Sequence, residues 1–262
     1  MAKLKKLLKE GKVTFGTWVS IPHVDVIEAL ATLPFDWLLF DMEHGPLDIS
    51  ILETLIVGVK GTEVTPFVRV PWNDKVMIKR VLDIGFKGVM VPWVNSREEA
   101  EYVVKSSRYP PRGFRGFGPR RAVMYGAESD LEYYKRFENE ELVIAVQIES
   151  EDAVKNVEEI ANVDGVDILF IGPADLSISL GIPLQYEHPK LSEAMQKVLN
   201  ACKKYDKTPG IQAFNLEQAK KYYSMGFRFL GLMSDIAMLR KAYISVLAEF
   251  KEIKEEKYVS AI

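Results

Sequence analysis

Two short apolar runs in this chain end on carboxylates. Val146-Gln147-Ile148 leads into Glu149, and Ile171-Gly172-Pro173-Ala174 leads into Asp175. A carboxylate at the end of a buried strand is costly unless something pairs with it. Two on neighbouring strands repel, and a cation between them resolves the conflict. Hard oxygen ligands suit Mg²⁺ or Mn²⁺, with coordination positions left for water and substrate. Similar runs carry more chemistry. Asp41-Met42-Glu43-His44 follows one, Arg69 sits inside Phe67-Val68-Arg69-Val70, and Gln147 precedes Glu149 by two residues. An arginine, a histidine, an amide and several carboxylates on an apolar scaffold describe a metal-dependent enzyme. Each also has a plainer reading. His44 alone suits a surface histidine, and Arg69 a buried ion-pair partner. Glu149 and Asp175 suit helix starts, where acids are favoured. Asp83, late in a helical pattern, reads by itself as a solvated residue, and His23 and His188 lie in loop-like contexts without a role.

The elements that must position these residues alternate along the 262-residue chain. Strand-like runs fall at Val13–Val19, Trp37–Asp41, Thr65–Val70, Gly88–Val91, Leu142–Ile148, Asp167–Ile171, Thr208–Ile211 and Arg228–Leu232. They are short and apolar throughout, as strands buried on both faces should be. Helical patterns lie between them, at Val24–Leu33, Ile49–Val59, Asp74–Ile84, Arg97–Ser106, Glu151–Ala161, Leu191–Tyr205 and Leu216–Met225. A long last helix runs from Asp235 to about Lys257. Eight strands alternating with eight helices predict an α/β fold, a (β/α)₈ barrel spanning 1–262 as one domain. An open doubly wound sheet is the alternative, but no glycine-rich fingerprint follows the first strand. In a barrel, catalysis sits at the C-terminal strand ends, where Asp41, His44, Arg69, Gln147, Glu149 and Asp175 all fall.

Composition narrows the class. A net charge of -3, with cations scattered among acids, excludes a nucleic-acid surface. Cys202 is the only cysteine, which fits a reducing, cytoplasmic setting. Abundant Lys and Glu hint at a heat-adapted source. The basic, amphipathic Met1–Glu10 segment reads as a packed first helix in preference to a targeting or membrane-surface helix. No apolar run approaches the ~18 residues needed to span a bilayer. One connection, from Arg108 to Glu141, is unusually long. Its Arg108, Arg112, Arg115, Arg120 and Arg121 either bind an anion over the site or pack an exposed loop on a neighbour.

The residue blocks resemble a known family, the HpcH/HpaI aldolases, class II pyruvate aldolases. The matching stretches are Phe15-Gly16-Thr17-Trp18, FDWLLFDMEHGP (35–46), PFVRVPW, GFKGVMVPWV, YPPRGFRGFGP, VQIES and IGPADLSISLG. The resemblance implies retro-aldol cleavage of a 4-hydroxy-2-oxo acid, of the 4-hydroxy-2-oxoheptanedioate or 2-dehydro-3-deoxyglucarate type, to pyruvate and an aldehyde. It implies that Glu149 and Asp175 bind a divalent metal, Mg²⁺ or Mn²⁺, with Co²⁺ also in range. Gln147 and the backbone of Gly172, Ala174 and Asp175 would hold the pyruvate moiety. Arg69 would stabilise the enolate and His44 would be the acid–base residue. Asp83 would raise the basicity of His44, from the same or a neighbouring subunit, and Asp41 would support the metal's water shell. A homo-oligomer, a hexamer built by exchange of C-terminal helices, is also implied. Neighbouring readings are a macrophomate synthase-like oxaloacetate decarboxylase and a citrate lyase β-like enzyme. One local departure is Gly45-Pro46-Leu47, where many relatives have Ala-Pro-Asn, so substrate contacts by this loop do not carry over. A lysine Schiff base is disfavoured, because Lys87 and Lys207 precede strands and lie at the wrong end of a barrel.

Overall fold

The computed structural model describes residues 3–250. Eight parallel strands close into a barrel in sequence order, β1 pairing with both β2 and β8. They are β1 (Thr14–Val19), β2 (Trp37–Asp41), β3 (Thr65–Arg69), β4 (Gly88–Val91), β5 (Val143–Ile148), β6 (Ile168–Ile171), β7 (Thr208–Ala213) and β8 (Phe229–Ser234). The helices among the described residues are α1 (Lys3–Lys9), α2 (Val24–Ala31), α3 (Ile49–Leu55), α4 (Lys75–Ile84), α5 (Arg97–Ser107) and α6 (Asp130–Arg136), then α7 (Glu151–Lys155), α8 (Val157–Ala161), α9 (Pro173–Ser179), α10 (Pro189–Lys204), α11 (Leu216–Met225) and α12 (Asp235–Glu249).

Alternation along each strand sorts side chains into two layers. Trp37, Leu39, Phe67, Met90, Val143, Ala145, Phe170 and Phe229 fill the barrel interior as one cluster. Their neighbours Leu38, Phe40, Val68, Val89, Ile144 and Val146 join a second cluster beneath the helices. Trp37 stacks on Phe229 across the barrel, with ring centroids 4.0 Å apart. The same period of two carries Asp41, Arg69, Gln147 and Glu149 onto the interior face at the C-terminal rim. Asp41 and Arg69 are register partners there. At the opposite end α1 closes the barrel. Leu4 and Leu8 pack into the interior cluster. The Lys5 ammonium donates to the Leu142 carbonyl at 2.5 Å and stands 3.8 Å from Asp167.

The sequence reading places all eight strands, with ends differing by one or two residues. Three helical stretches differ more. The pattern over 49–59 ends as α3 followed by a tight 3-10 turn, Ile56–Val59. The pattern over 151–161 breaks at Asn156, whose side-chain amide is drawn to the Asn95 carbonyl at 2.8 Å. α12 is described to Glu249, so residues 251–257 of the expected last helix lie outside the described residues. Two short helices were not anticipated. α6 lies inside the long connection, and α9 begins with Pro173 at its first turn, where the missing N–H costs nothing.

Candidate active site

A cavity of about 430 Å³ opens at the C-terminal rim. Trp18, Asp41, His44, Arg69, Gln147 and the Gly172–Asp175 turn line it, with Gln212 and Met233 on the far wall. Arg69 is its most constrained member. Its Nε and Nη2 donate to the two oxygens of Asp41 at 2.9 and 2.8 Å, and Nη1 stands 2.7 Å from Glu43 Oε2. The guanidinium carbon lies 4.3 Å from the Trp18 ring centre. The Trp18 indole N–H donates to Gln212, whose own amide donates to the Met233 carbonyl at 3.0 Å. A guanidinium has five N–H donors; Asp41 accepts two, and the Glu43 contact is an ion pair that leaves Oε2 without a hydrogen bond, so N–H groups remain uncommitted on a side chain that lines the cavity.

Glu149 lies beneath this pair, 1% exposed. Its Oε1 accepts the Trp93 backbone N–H at 2.8 Å and its Oε2 accepts from the Gln147 amide at 2.7 Å. Burial pushes its carboxyl up to about 8; the Trp93 N–H opposes that shift, and the charges of Glu43 and Asp175 add to it. Burial likewise raises Glu43, against the pull of Arg69. Gly172 brings the turn after β6 against Glu149. A Cβ there would stand 2.7 Å from Glu149 Oε2, so any side chain at this position would displace that oxygen. Asp175 follows in the first turn of α9, and Ala174 lines the cavity between them. His44 is exposed at the cavity mouth, and its backbone N–H reaches Asp41 Oδ1 at 3.4 Å.

Among the described residues no three His, Cys, Asp or Glu side chains cluster closely enough to hold a metal ion, so a cation here would rest on two carboxylates completed by water and substrate. Asp41, Glu43, Glu149 and Asp175 face a single arginine, and each of the first three is at least largely buried. The Gln147 Oε1 is buried without a hydrogen-bond partner. A surplus of buried negative charge beside oxygen ligands is what a divalent cation would satisfy.

Asp83 does not join this group within one chain. It sits in the last turn of α4, which returns to the end of the barrel where strands begin, whereas His44 follows the end of β2. Asp83 instead accepts from Arg115 Nη2 at 2.6 Å. Burial raises its carboxyl despite that partner. Arg115, 2% exposed, is held between the Tyr109 and Phe137 rings at 4.5 and 4.8 Å. The arginine-rich connection is therefore tied inward along the barrel's flank. Arg108 and Arg112 bond Glu138, and Arg120 pairs with Glu53 at 3.1 Å. None of its arginines lines the cavity. The Gly45-Pro46-Leu47 departure falls outside too, since Leu47 is buried in the layer beneath the helices.

The sequence placed Glu43 and Trp93 at strand ends but gave neither a role, and it did not point to Gln212. Glu43 had a signal, because it stands two residues beyond Asp41 in the same rim segment. Gln212 and Trp93 had none, since their roles rest on tertiary hydrogen bonds.

The profile of the HpcH/HpaI aldolase/citrate lyase family matches residues 14–242. A protein named 5-keto-4-deoxy-D-glucarate aldolase, from Shigella boydii serotype 18, is 39% identical over 251 residues, covering 95% of this chain and 96% of that protein. The crystal structure of an HpcH/HpaI aldolase/citrate lyase family protein from Burkholderia cenocepacia J2315 superposes with a TM-score of 0.91 at 33% identity, covering 96% of this chain and all of the other. Macrophomate synthase superposes at 0.83 with 26% identity, covering 96% of this chain and 90% of that one. The chain belongs to the HpcH/HpaI aldolase/citrate lyase family.

Proposed function

We propose that the chain is a metal-dependent pyruvate aldolase acting on a 2-dehydro-3-deoxyglucarate-type acid. The observation that supports it most is Arg69, hydrogen-bonded to Asp41 and ion-paired with Glu43 near the buried Glu149, with N–H groups left uncommitted. The substrate class comes from the curated relative. Numbered from its other end, a 5-keto-4-deoxy six-carbon diacid is a 2-oxo-3-deoxy acid with a hydroxyl at C4. 4-Hydroxy-2-oxoheptanedioate shares the same reacting atoms and is the second substrate to try.

Glu149 and Asp175 would hold the divalent ion, Mg²⁺ or Mn²⁺, with Co²⁺ as a further option. When bound, that ion supplies Lewis acidity to the C1 carboxylate and C2 ketone. The Gln147 amide and the backbone of Gly172, Ala174 and Asp175 fix the 2-oxo acid; Pro173 has no N–H to give. His44, at the cavity mouth, accepts the C4 hydroxyl proton. The C3–C4 electron pair then becomes the C2–C3 double bond, and C4 leaves as the aldehyde. Negative charge collects on the C2 oxygen, where the free N–H groups of Arg69 meet it. Such a contact is typically worth about 3–4 kcal/mol of barrier. Protonation at C3 gives pyruvate. Asp41 anchors Arg69, a different task from tending metal-bound water. Among the described residues no lysine lines the cavity, which disfavours a Schiff base. Lys87 pairs with Glu141, and Lys207 donates to the Val163 and Val166 carbonyls.

The likeness to macrophomate synthase supports a second activity, oxaloacetate decarboxylation, which forms the same enolate. For Asp83 to reach His44, a second copy of the chain must supply it. Exposed Ile236, Leu239, Tyr243 and Leu247 on α12, with Phe250 just after it, suit such an assembly, a homo-oligomer of hexamer type. The buried lone Cys202 suits a reducing cytoplasm. Among the described residues no helix is long and apolar enough to cross a membrane.

The enolate claim can be tested without the aldehyde. Pyruvate incubated in D₂O with the enzyme and Mn²⁺ should exchange its methyl protons. Exchange equal to the enzyme-free rate would count against the proposal.

A further inference from the structure

Trp93 stands in a conformation that side chains with a Cβ disfavour. Its φ is +53°, in the left-handed region. It follows the C-terminal end of β4, beside the β5 strand that carries Gln147 and leads into Glu149. A strained residue persists where its surroundings over-determine it, and here they do. The Val94 N–H donates to the Gln147 carbonyl at 3.3 Å. The Trp93 carbonyl accepts from Asn95 Nδ2 at 3.0 Å. Asn95 is itself held by the Ser150 hydroxyl on its side-chain oxygen and by Asn156 Nδ2 on its backbone carbonyl. The break between α7 and α8 at Asn156 thus belongs to the same lock.

The product of this turn is one hydrogen bond. The Trp93 N–H points to Glu149 Oε1 at 2.8 Å, while Gln147 holds Oε2 at 2.7 Å. Donors on both oxygens fix the tilt of this carboxylate. Each oxygen keeps a further lone pair. We infer that the left-handed turn at Trp93 is a positioning device for Glu149, whose strained backbone amide orients that carboxylate for a divalent metal ion. The inference rests on the metal reading above. The amide does the work, and the indole ring does not.

That distinction gives the test. Glycine and asparagine accept positive φ, whereas valine is β-branched and resists it. Free Mn²⁺ is followed by electron paramagnetic resonance during titration of full-length wild type, W93G, W93N, W93V and E149A. W93G and W93N should bind within about threefold of wild type. W93V keeps an N–H but misaims it, and its Kd should rise roughly 10–100-fold, as for other groups that orient metal ligands. If W93V fails to fold, W93A takes its place, with a smaller rise expected in the same direction. Wild-type affinity in W93V, or equal losses in W93G and W93V, would overturn the inference. Undiminished binding by E149A would instead overturn the metal reading beneath it.

Discussion

Arg69 is where this site's residues become chemistry. Two carboxylates and an indole fix its plane, so in the proposed mechanism its free N–H groups would need no reorganisation when charge develops on a substrate oxygen. A lysine cannot match that fork. Arg69→Lys should lower kcat for pyruvate release about 100- to 1,000-fold, with Mn²⁺ affinity changed only a few-fold. Equal losses in kcat and in Mn²⁺ binding would reassign Arg69 to holding the acids apart. His44→Ala should cost about 100-fold or more in kcat and leave the melting temperature near wild type, because the side chain is exposed. Cys202 is a different case. Burial pushes its thiol from 9.0 up to about 12. A raised folded pKa means its contribution to stability is complete below the unfolded value and is lost as pH rises towards 12. The native protein should therefore leave Cys202 unreacted with a thiol reagent at about pH 8 and release it on unfolding. Rapid native labelling would show that α10 opens locally.

At the scale of elements, the pair between buried Arg115 and half-buried Asp83 pins the long connection to α4. Breaking one side of the pair strands the other charge. Arg115→Met should destabilise by about 1–3 kcal/mol in urea unfolding, and adding Asp83→Asn should restore part of that. Full additivity of the two changes would mean the pair is not coupled. The strands and their rim residues were legible because buried parallel strands leave a strong apolar signature, and a period of two carries Asp41, Arg69, Gln147 and Glu149 to one face. Asp83 was harder to place, since a family likeness does not say which chain supplies it. The break at Asn156 and the turn at Trp93 were hidden, because tertiary hydrogen bonds override local preference at both. α6 escaped notice as seven residues inside a connection that reads as loop.

At the scale of the whole molecule, the barrel separates its labours. The α1 end is closed by Leu4 and Leu8, and the opposite rim carries the charge. The apolar face of α12 remains exposed on one chain, with Tyr243 63% accessible and Phe250, just after the helix, 53%. Patches of this kind mark association. Light scattering should give a multiple of the 29.7 kDa chain mass, and Leu239→Glu with Tyr243→Glu should lower it. A monomer of full activity would exclude any role for Asp83 at His44. The central claim is metal-dependent aldol cleavage at the Glu149–Asp175 rim, and pyruvate release from 5-keto-4-deoxy-D-glucarate tests it most directly. We predict release that EDTA stops, that Mg²⁺ or Mn²⁺ restores, and that Glu149→Ala abolishes. Release that survives EDTA and is trapped by borohydride would contradict the account.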